Sequence, residues 1–456
     1  MGKFFGTDGI RGYAGESPLD ERTIERIGYS LATELTARLG RAPQIIIGRD
    51  TRESGDWIES AVARGAITAK ADVKSAGFIT TPGVAYVTRA LNADAGVVIS
   101  ASHNPYHDNG IKIFAPSGQK LDDAAEQAIE RDLETDASSL KTWPPIVDAI
   151  IYTDASLKEK YLNFLRDEVG AGLNLSGLKL VIDCANGASY ELAPKLFDAL
   201  GAQAVLINTE PNGRNINLNC GSLHPETLQQ AVLAAKADAG LAFDGDADRL
   251  LMVDERGQLV DGDQVLFVMA EYWAAQGKLA GNRVVATVMS NMGLEVALAE
   301  RNITLVRTAV GDKNVLDELL KNGGSIGGEQ SGHVIFPEIS LAGDGMLTAL
   351  EVLRVMVDSK RALGDLASGF TRYPQVIVNV RVARKPPLDS MASVKDAMSK
   401  IENELAGNAG KGRLLVRYSG TENLARVMIE GQNETTIREQ AETLAKLIKE
   451  QIGQTK

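Results

Sequence analysis

Three carboxylates at every second position mark the segment Phe243-Asp244-Gly245-Asp246-Ala247-Asp248-Arg249. Along an extended backbone, residues two apart face the same way. Asp244, Asp246 and Asp248 would therefore crowd their oxygens together, with Arg249 as the one local counter-charge, and repel one another unless a hard cation sits among them. Mg2+ is the expected ion. Glu255 at the twelfth position invites comparison with a calcium-binding hand. Arg249, however, stands where that loop needs glycine and the flanks read as strands, so a calcium loop is rejected. A second segment, Ile99-Ser100-Ala101-Ser102-His103-Asn104-Pro105, offers Ser102 as a nucleophile. His103 beside it, and Lys112 at the end of Asp108-Asn109-Gly110-Ile111-Lys112, can take up or return the proton that hydroxyl chemistry requires.

Two further loops carry polar groups at short spacing. Gly327-Gly328-Glu329-Gln330-Ser331-Gly332-His333 combines a carboxylate, an amide, a hydroxyl and an imidazole, a set suited to a sugar whose vicinal hydroxyls both donate and accept. Arg417-Tyr418-Ser419-Gly420-Thr421-Glu422-Asn423, with Arg426 beyond, brings two guanidinium groups and two hydroxyls to a glycine, the makings of a phosphate cradle. Neither Gly-x-x-x-x-Gly-Lys-Ser/Thr nor Gly-x-Gly-x-x-Gly occurs, so ATP and NAD binding find no support. Taken singly, each loop has a plainer reading: a capping turn at Ser102, a solvated acidic turn at Asp244, a polar hairpin at Glu329 and a tight turn at Ser419.

The elements that must position these loops follow from periodicity. Apolar runs at Gln44 to Gly48, Val73 to Ile79, Ala95 to Ser100 and Ile111 to Phe114 read as strands, and Ile24, Ile27, Leu31, Leu35 and Leu39 place one apolar stripe on a helix. The rhythm restarts at Leu178 to Cys184, Ala204 to Ile207 and Gly240 to Phe243, and again at Arg283 to Met289, Leu305 to Thr308 and Ser325 to Ile335. Three tandem α/β units are expected, with mixed, mainly parallel sheets. A strand that feeds Ser102 would leave it at the carboxyl edge of such a sheet, where α/β ligands bind.

Boundaries fall at Trp143 to Asp154, Asp254 to Asp263 and Gly369 to Pro374. They divide the chain into residues 1–150 with the serine loop, 151–254 with the acidic loop, 255–369 with the sugar loop and 370–456 with the phosphate loop. After Pro374 come a strand (Gln375 to Ala383), a helix (around Ser390 to Glu404), strands at Arg413 to Tyr418 and Ala425 to Glu430, and a helix from Thr435 onward. That order predicts a smaller α+β C-terminal domain.

The composition narrows the partners. In 456 residues, 60 acidic side chains against 48 basic give a net charge of -12, which repels nucleic acid and anionic membranes. Two cysteines, Cys184 and Cys220, argue against a disulfide-stapled secreted chain. The N-terminus shows no apolar signal core and no stretch reaches the roughly 20 apolar residues of a spanning helix. A cytoplasmic location is expected.

In this order, one per domain, the four loops resemble those of the α-D-phosphohexomutase family. Phe5-Gly6-Thr7-Asp8-Gly9-Ile10-Arg11-Gly12, Thr81-Pro82-Gly83-Val84-Ala85-Tyr86, Asp183-Cys184-Ala185-Asn186-Gly187-Ala188 and Asn215-Ile216-Asn217 look closest to its bacterial members that act on glucosamine phosphate. The likeness spans essentially the whole chain. It implies an intramolecular phosphotransferase, with the four domains around a central cleft, that interconverts hexose 6- and 1-phosphates. The route it implies is a phosphoserine enzyme and a hexose 1,6-bisphosphate, which serves as intermediate and activator. By this resemblance Ser102 is the phosphoserine, and Asp244, Asp246 and Asp248 hold one Mg2+ per chain with the Ser102 phosphate as fourth ligand. Arg249 and Lys112 steady the transferring group, with Arg11 nearby. Glu329, Ser331 and His333 read the sugar, and Arg417, Ser419, Gly420, Thr421 and Arg426 hold the phosphate that does not react.

A small hexose phosphate is then the partner, with no nucleic acid or membrane, for a monomer or homodimer. Glucosamine phosphate leads, ahead of glucose and mannose phosphates. A metal-dependent sugar phosphatase and a silent sugar-phosphate sensor are readings of another class: the first would release inorganic phosphate, and the second is disfavoured by the presence of Ser102 and all three aspartates. Because the bisphosphate must turn over without escaping, the C-terminal domain is expected to act as a lid hinged near Gly369 to Pro374. Three departures from the family pattern bear on the choice of sugar more than on the chemistry. Asp-Ala-Asp stands at 246–248 where Asp-Gly-Asp is more usual, Tyr418 where Lys is usual, and Asn423 where Pro is usual.

Overall fold

A computed structural model describes residues 4–6, 8–134, 145–407, 412–419 and 423–453. The expected boundary residue Trp143 and the loop residues Gly420 and Thr421 lie outside them. The chain divides into two compact units, one of Met1–Met289 with Ile303–Gly369 and the other of Ser290–Asn302 with Phe370–Lys456. The division at Gly369 falls where the hinge stretch begins. The helix Met292–Ala299, within the expected third domain, groups with the C-terminal unit. No described helix is long and apolar enough to cross a membrane.

The first unit holds three mixed sheets in chain order. The first runs Phe5–Gly6, Gly9–Tyr13, Asp108–Phe114, Ala95–Ile99, Gln44–Arg49, Asp72–Phe78; the second Leu259–Val260, Leu250–Asp254, Ala239–Phe243, Lys179–Asp183, Gln203–Ile207; the third Thr304–Thr308, Arg283–Thr287, Gly327–Gly328, Val334–Ile335. Isoleucines 45, 46 and 47 are all buried, as a parallel strand covered on both faces demands.

The three sheets share one feature. Ala95–Ile99 pairs parallel with Gln44–Arg49 on one side and antiparallel with Asp108–Phe114 on the other. Ala239–Phe243 is likewise parallel to Lys179–Asp183 and antiparallel to Leu250–Asp254. Gly327–Gly328 is parallel to Arg283–Thr287 and antiparallel to Val334–Ile335. In each sheet the polar loop leaves the carboxyl end of the strand at which pairing changes sense, and returns as a hairpin. The run Ser325 to Ile335, read as strand-like with the polar loop from Gly327 to His333 inside it, is this third hairpin. Glu329 to Gly332 bulge out of it, with Gly332 at φ +91° supplying the turn.

Helices cover these sheets, and two of them meet backbone to backbone. A Cβ on Gly28 of the helix Glu21–Leu39 would lie 2.0 Å from the Val62 carbonyl oxygen, and one on Gly65 of Gly55–Thr68 would lie 1.9 Å from that of Glu25. Neither oxygen belongs to a flexible group that can step aside. Gly28→Ala is expected to cost about 1–3 kcal/mol, read as a lowered urea midpoint at unchanged m-value. A wild-type midpoint would show that the helices can separate freely.

The second unit is a three-stranded antiparallel sheet, Gln375–Arg381, Leu424–Gly431, Gly412–Tyr418, with the helices Ala392–Gly407 and Glu434–Ile452. Val380, Val427, Ile429, Leu444 and Ile448 form its core. This is the α+β arrangement expected of the C-terminal residues.

Candidate active site

The strand Ala95–Ile99 is buried throughout and delivers the chain into a tight turn. Ser102 sits in that turn at φ +53°, a left-handed conformation uncommon for serine, and is 1% exposed. Its Oγ donates to Asp244 Oδ2 at 2.6 Å and lies 3.1 Å from His103 Nδ1. Burial, then the charges of Arg249 and Arg11, hold the His103 imidazole down at about 4, so it is neutral near pH 7. Ser100, the neighbouring hydroxyl, is committed elsewhere, donating to Asp50 Oδ2 at 2.6 Å.

Asp244, Asp246 and Asp248 each bring a carboxylate oxygen within 4.8 Å of the others. The backbone there differs from the expected extended segment. It is a turn with Ala247 at φ +55°, the conformation that glycine reaches without strain, which gives a reason for the glycine usual at that place. The carboxylates converge because the turn folds them inward. Nor is Arg249 the only counter-charge, because Lys112 Nζ lies 2.9 Å from Asp246 Oδ2 and 3.4 Å from Asp248 Oδ2. Lys112 is 1% exposed. Thr81 Oγ1 adds a hydrogen bond to Asp246 Oδ2 at 2.5 Å.

Even so, Asp246 Oδ1 and Asp248 Oδ1 are buried without a hydrogen-bond partner. Burial and the charges of Asp248 and Asp246 push the Asp244 carboxyl well above the usual range. An all-oxygen donor set that is buried, anionic and partly unpaired fits a hard divalent cation.

A second tier of charge surrounds this centre. Lys112 Nζ is 3.2 Å from Asp8 Oδ2, and Lys120 Nζ bridges Asp8 and Asp312 at 2.6 Å each. Arg11 pairs with Asp8. Arg249 donates its backbone N–H to Asp244 Oδ1 at 3.2 Å. Glu329 accepts from the Gly311 amide at 3.0 Å and from Ser331 Oγ at 3.3 Å.

His333, expected at the sugar, is buried, with Nδ1 3.7 Å from Asp248 and Nε2 3.8 Å from Asp312. Burial opposes its charged form, but the hydrogen bond and charge of Asp248, with Asp312 and Glu329 beyond, outweigh it and raise the imidazole to about 9. A cavity of about 320 Å³ touches Lys112, Asp248 and His333 but not Ser102, so it flanks the cluster rather than containing its hydroxyl.

The structure thus brings together Ser102, His103, Lys112, Arg249 and the three aspartates, with Arg11 and His333 one contact away. Lys120 and Asp312 were not legible as members. Each acts through a partner nearly 200 residues distant in sequence, and neither sits in a motif of its own. Asp8 and Thr81 stood inside motifs without a role.

In the C-terminal unit, Arg417 and Arg426 are directly opposite across antiparallel strands. Burial, then the charge of Arg426, lowers Arg417 from its ordinary value. Like charges so placed repel, and an anion between them would relieve both. The Ser419 carbonyl accepts from Lys385 Nζ at 2.8 Å, a cation the motif did not announce. Tyr418, where lysine is usual, donates its hydroxyl to the Pro386 carbonyl at 2.7 Å and packs on the domain core.

Comparison with known proteins adds a family. The four phosphoglucomutase/phosphomannomutase domains match in order: alpha/beta/alpha domain I at residues 2–139, domain II at 159–257, domain III at 261–373 and the C-terminal domain at 377–447. The phosphoglucosamine mutase of Solibacter usitatus is 49% identical over 451 residues, covering 99% of each chain, and that of Desulforudis audaxviator 47% identical, covering 99% of this chain and 98% of its own. A phosphoglucomutase/phosphomannomutase family protein of Burkholderia thailandensis has the same fold, with a TM-score of 0.79 at 24% identity over 99% of this chain and 98% of its own. So does the N-acetylphosphoglucosamine mutase of Aspergillus fumigatus, solved with GlcNAc-6P and magnesium, with a TM-score of 0.67 at 19% identity over 99% and 96%.

Proposed function

Because the chain belongs to the phosphoglucomutase/phosphomannomutase family, we propose that it interconverts glucosamine 6-phosphate and glucosamine 1-phosphate through a phosphoserine at Ser102 and glucosamine 1,6-bisphosphate. The observation that carries this reading is the Ser102 hydroxyl, buried and hydrogen-bonded into a carboxylate cluster that protein cations only partly neutralise. A phosphoryl dianion is tolerated among those carboxylates only if a divalent cation shares the cluster. Asp244, Asp246 and Asp248, with an oxygen of the Ser102 phosphate, would hold Mg2+. When bound, the ion supplies charge neutralisation at the transferring group.

The chain's own residues do the rest. In the forward half-reaction the P–O bond to Ser102 Oγ breaks and a bond to the substrate's free hydroxyl oxygen forms. The substrate hydroxyl loses its proton as its oxygen takes the phosphoryl, and Oγ gains one as the P–O bond breaks. His103 Nδ1, 3.1 Å from Oγ, is within reach to deliver that proton. The bisphosphate reorients and returns its other phosphoryl to Oγ. Lys112 and Arg249 neutralise the group in flight, and Asp8, held by Lys120 and Arg11, keeps Lys112 in line. Glu329, Ser331 and His333 read sugar hydroxyls, and His333 also braces Asp248. Arg417, Ser419 and Arg426, with Gly420 and Thr421, bind the phosphate that stays in place. Cys184 and Cys220 are free and buried, in keeping with a reducing cytoplasmic setting.

Sugar choice is tested by kcat/KM for the 6-phosphates of glucosamine, glucose and mannose. Glucosamine 6-phosphate is expected to lead by at least about tenfold, with no inorganic phosphate accumulating. A lead for glucose or mannose 6-phosphate would reassign the substrate, and stoichiometric phosphate release would make the protein a phosphatase.

A further inference from the structure

Arg52 lies outside every motif discussed, yet its side chain is fully buried. All five of its N–H groups are used, and four of them go to one loop. Nη1 donates to the carbonyls of Pro105 and Asp108, the latter at 2.9 Å, and Nη2 to those of Ser102 and Asn104, both at 2.9 Å. Nε donates to Asp50 Oδ2 at 2.9 Å. That same Asp50 oxygen accepts from Ser100 Oγ at 2.6 Å, and Ser100 Oγ accepts the Ser102 N–H at 2.9 Å. Both backbone polar groups of Ser102 are therefore tied to one guanidinium, the carbonyl directly and the amide through Asp50 and Ser100.

Asn217 closes the other side. Its amide nitrogen donates to the same Ser102 and Asn104 carbonyls, at 2.9 and 3.1 Å. It comes from the loop after the second sheet's edge strand, and between them Gly245 of the acidic turn approaches so closely that a Cβ there would lie 2.5 Å from the Ser102 carbonyl oxygen.

We propose that Arg52, with Asn217, is a positioning residue for the phosphoryl-carrying serine. It fills a ring of converging carbonyls with a permanent cation and thereby holds Ser102 in its left-handed backbone with Oγ turned to Asp244. Four carbonyls pointing at one spot repel one another, and a serine at φ +53° costs energy. A charged, planar, five-donor group balances both at once, which an ammonium with three donors cannot. The cycle needs this because Oγ must present the same line of attack when it gives a phosphoryl and when it takes one back. The role rests on the mutase reading of Ser102, but the geometry it asserts does not.

The test uses the full chain with Mg2+. In Arg52→Lys, kcat is expected to fall about 10²-fold, the scale of a 1 Å misplacement at a reacting centre. KM should stay near wild type, since the sugar loop is not touched, and so should the Mg2+ affinity of the unphosphorylated chain, which rests on the three aspartates alone. Guanidinium ion at tens of millimolar should restore part of the kcat of Arg52→Ala, and methylammonium should not. If Arg52→Ala fails to fold, Asn217→Ala, which removes two of the donors, must show the same kcat-only loss on a smaller scale, about tenfold. An equal fall through KM, or wild-type kcat in Arg52→Lys, overturns the proposal. A crystal structure of Arg52→Lys separates it from the mutase reading. Ser102 should leave positive φ and Oγ should draw away from Asp244 whatever the substrate proves to be, and an unmoved Ser102 refutes the clamp. Absence of any hexose phosphate turnover in wild type would instead refute the mutase reading.

Discussion

Alanine at position 102 is expected to lower turnover by more than about 10⁴-fold, because the phosphoryl group then has no acceptor on the protein and the cycle cannot begin or close. The fold should survive, since Ser102 Oγ contributes hydrogen bonds to Asp244 and His103 but no apolar packing. Peptide mapping after incubation with glucosamine 1,6-bisphosphate should find one phosphoryl on wild type, at Ser102. Ser100 is the rival hydroxyl in the same peptide. Its Oγ is spent between Asp50 and the Ser102 amide, so phosphorylation there would break the link that shapes the turn. A label on Ser100, or a Ser102→Ala enzyme that still turns over at a tenth of the wild-type rate, would mean that the wrong hydroxyl has been chosen.

The second large effect concerns the aspartates. A chelator in excess should abolish activity and added Mg2+ should restore it. Activity alone would not separate a metal ligand from a residue that merely shapes the turn, so stability supplies a second readout. In the proposed mechanism Mg2+ binds only the folded chain, so at a hundred times its Kd it should stabilise wild type by about 2.7 kcal/mol. In Asp246→Asn that increment should largely disappear. The metal-free variant should be only slightly less stable than metal-free wild type, because the ion pair it loses with Lys112 is offset by relief of repulsion among three buried carboxylates. A large loss of stability in the variant without metal would show that Asp246 serves Lys112 and Thr81 more than a cation. Full activity under chelation would remove the metal from the mechanism.

Much of the candidate site was legible in the sequence. Reactive side chains sat at short spacing in four loops, and the strand signals on either side placed those loops at sheet edges. Spacing misled where backbone shape mattered. Two-residue periodicity suggested an extended acidic segment, whereas a left-handed Ala247 folds that segment into a turn. His333 shares a loop with Glu329, yet the carboxylates beside its imidazole, Asp248 and Asp312, come from distant parts of the chain.

The amino-acid sequence by itself determined the alternation of strands and helices, the three α/β units and the different C-terminal order, because apolar periodicity is a local property that burial enforces residue by residue. It also determined the chemical repertoire: one hydroxyl beside an imidazole, three carboxylates, and two arginines across a hairpin. Only tertiary structure decided which cations meet those carboxylates. Lys112 reaches Asp246 across 134 residues, Lys120 reaches Asp312 across 192, and Arg52 reaches the serine turn from 50 residues away through backbone carbonyls that carry no side-chain signature. The reason is physical. A buried charge is tolerable only when its partners are in place, and those partners are chosen by where the sheets change from parallel to antiparallel pairing, a relation among strands that no single stretch of sequence contains.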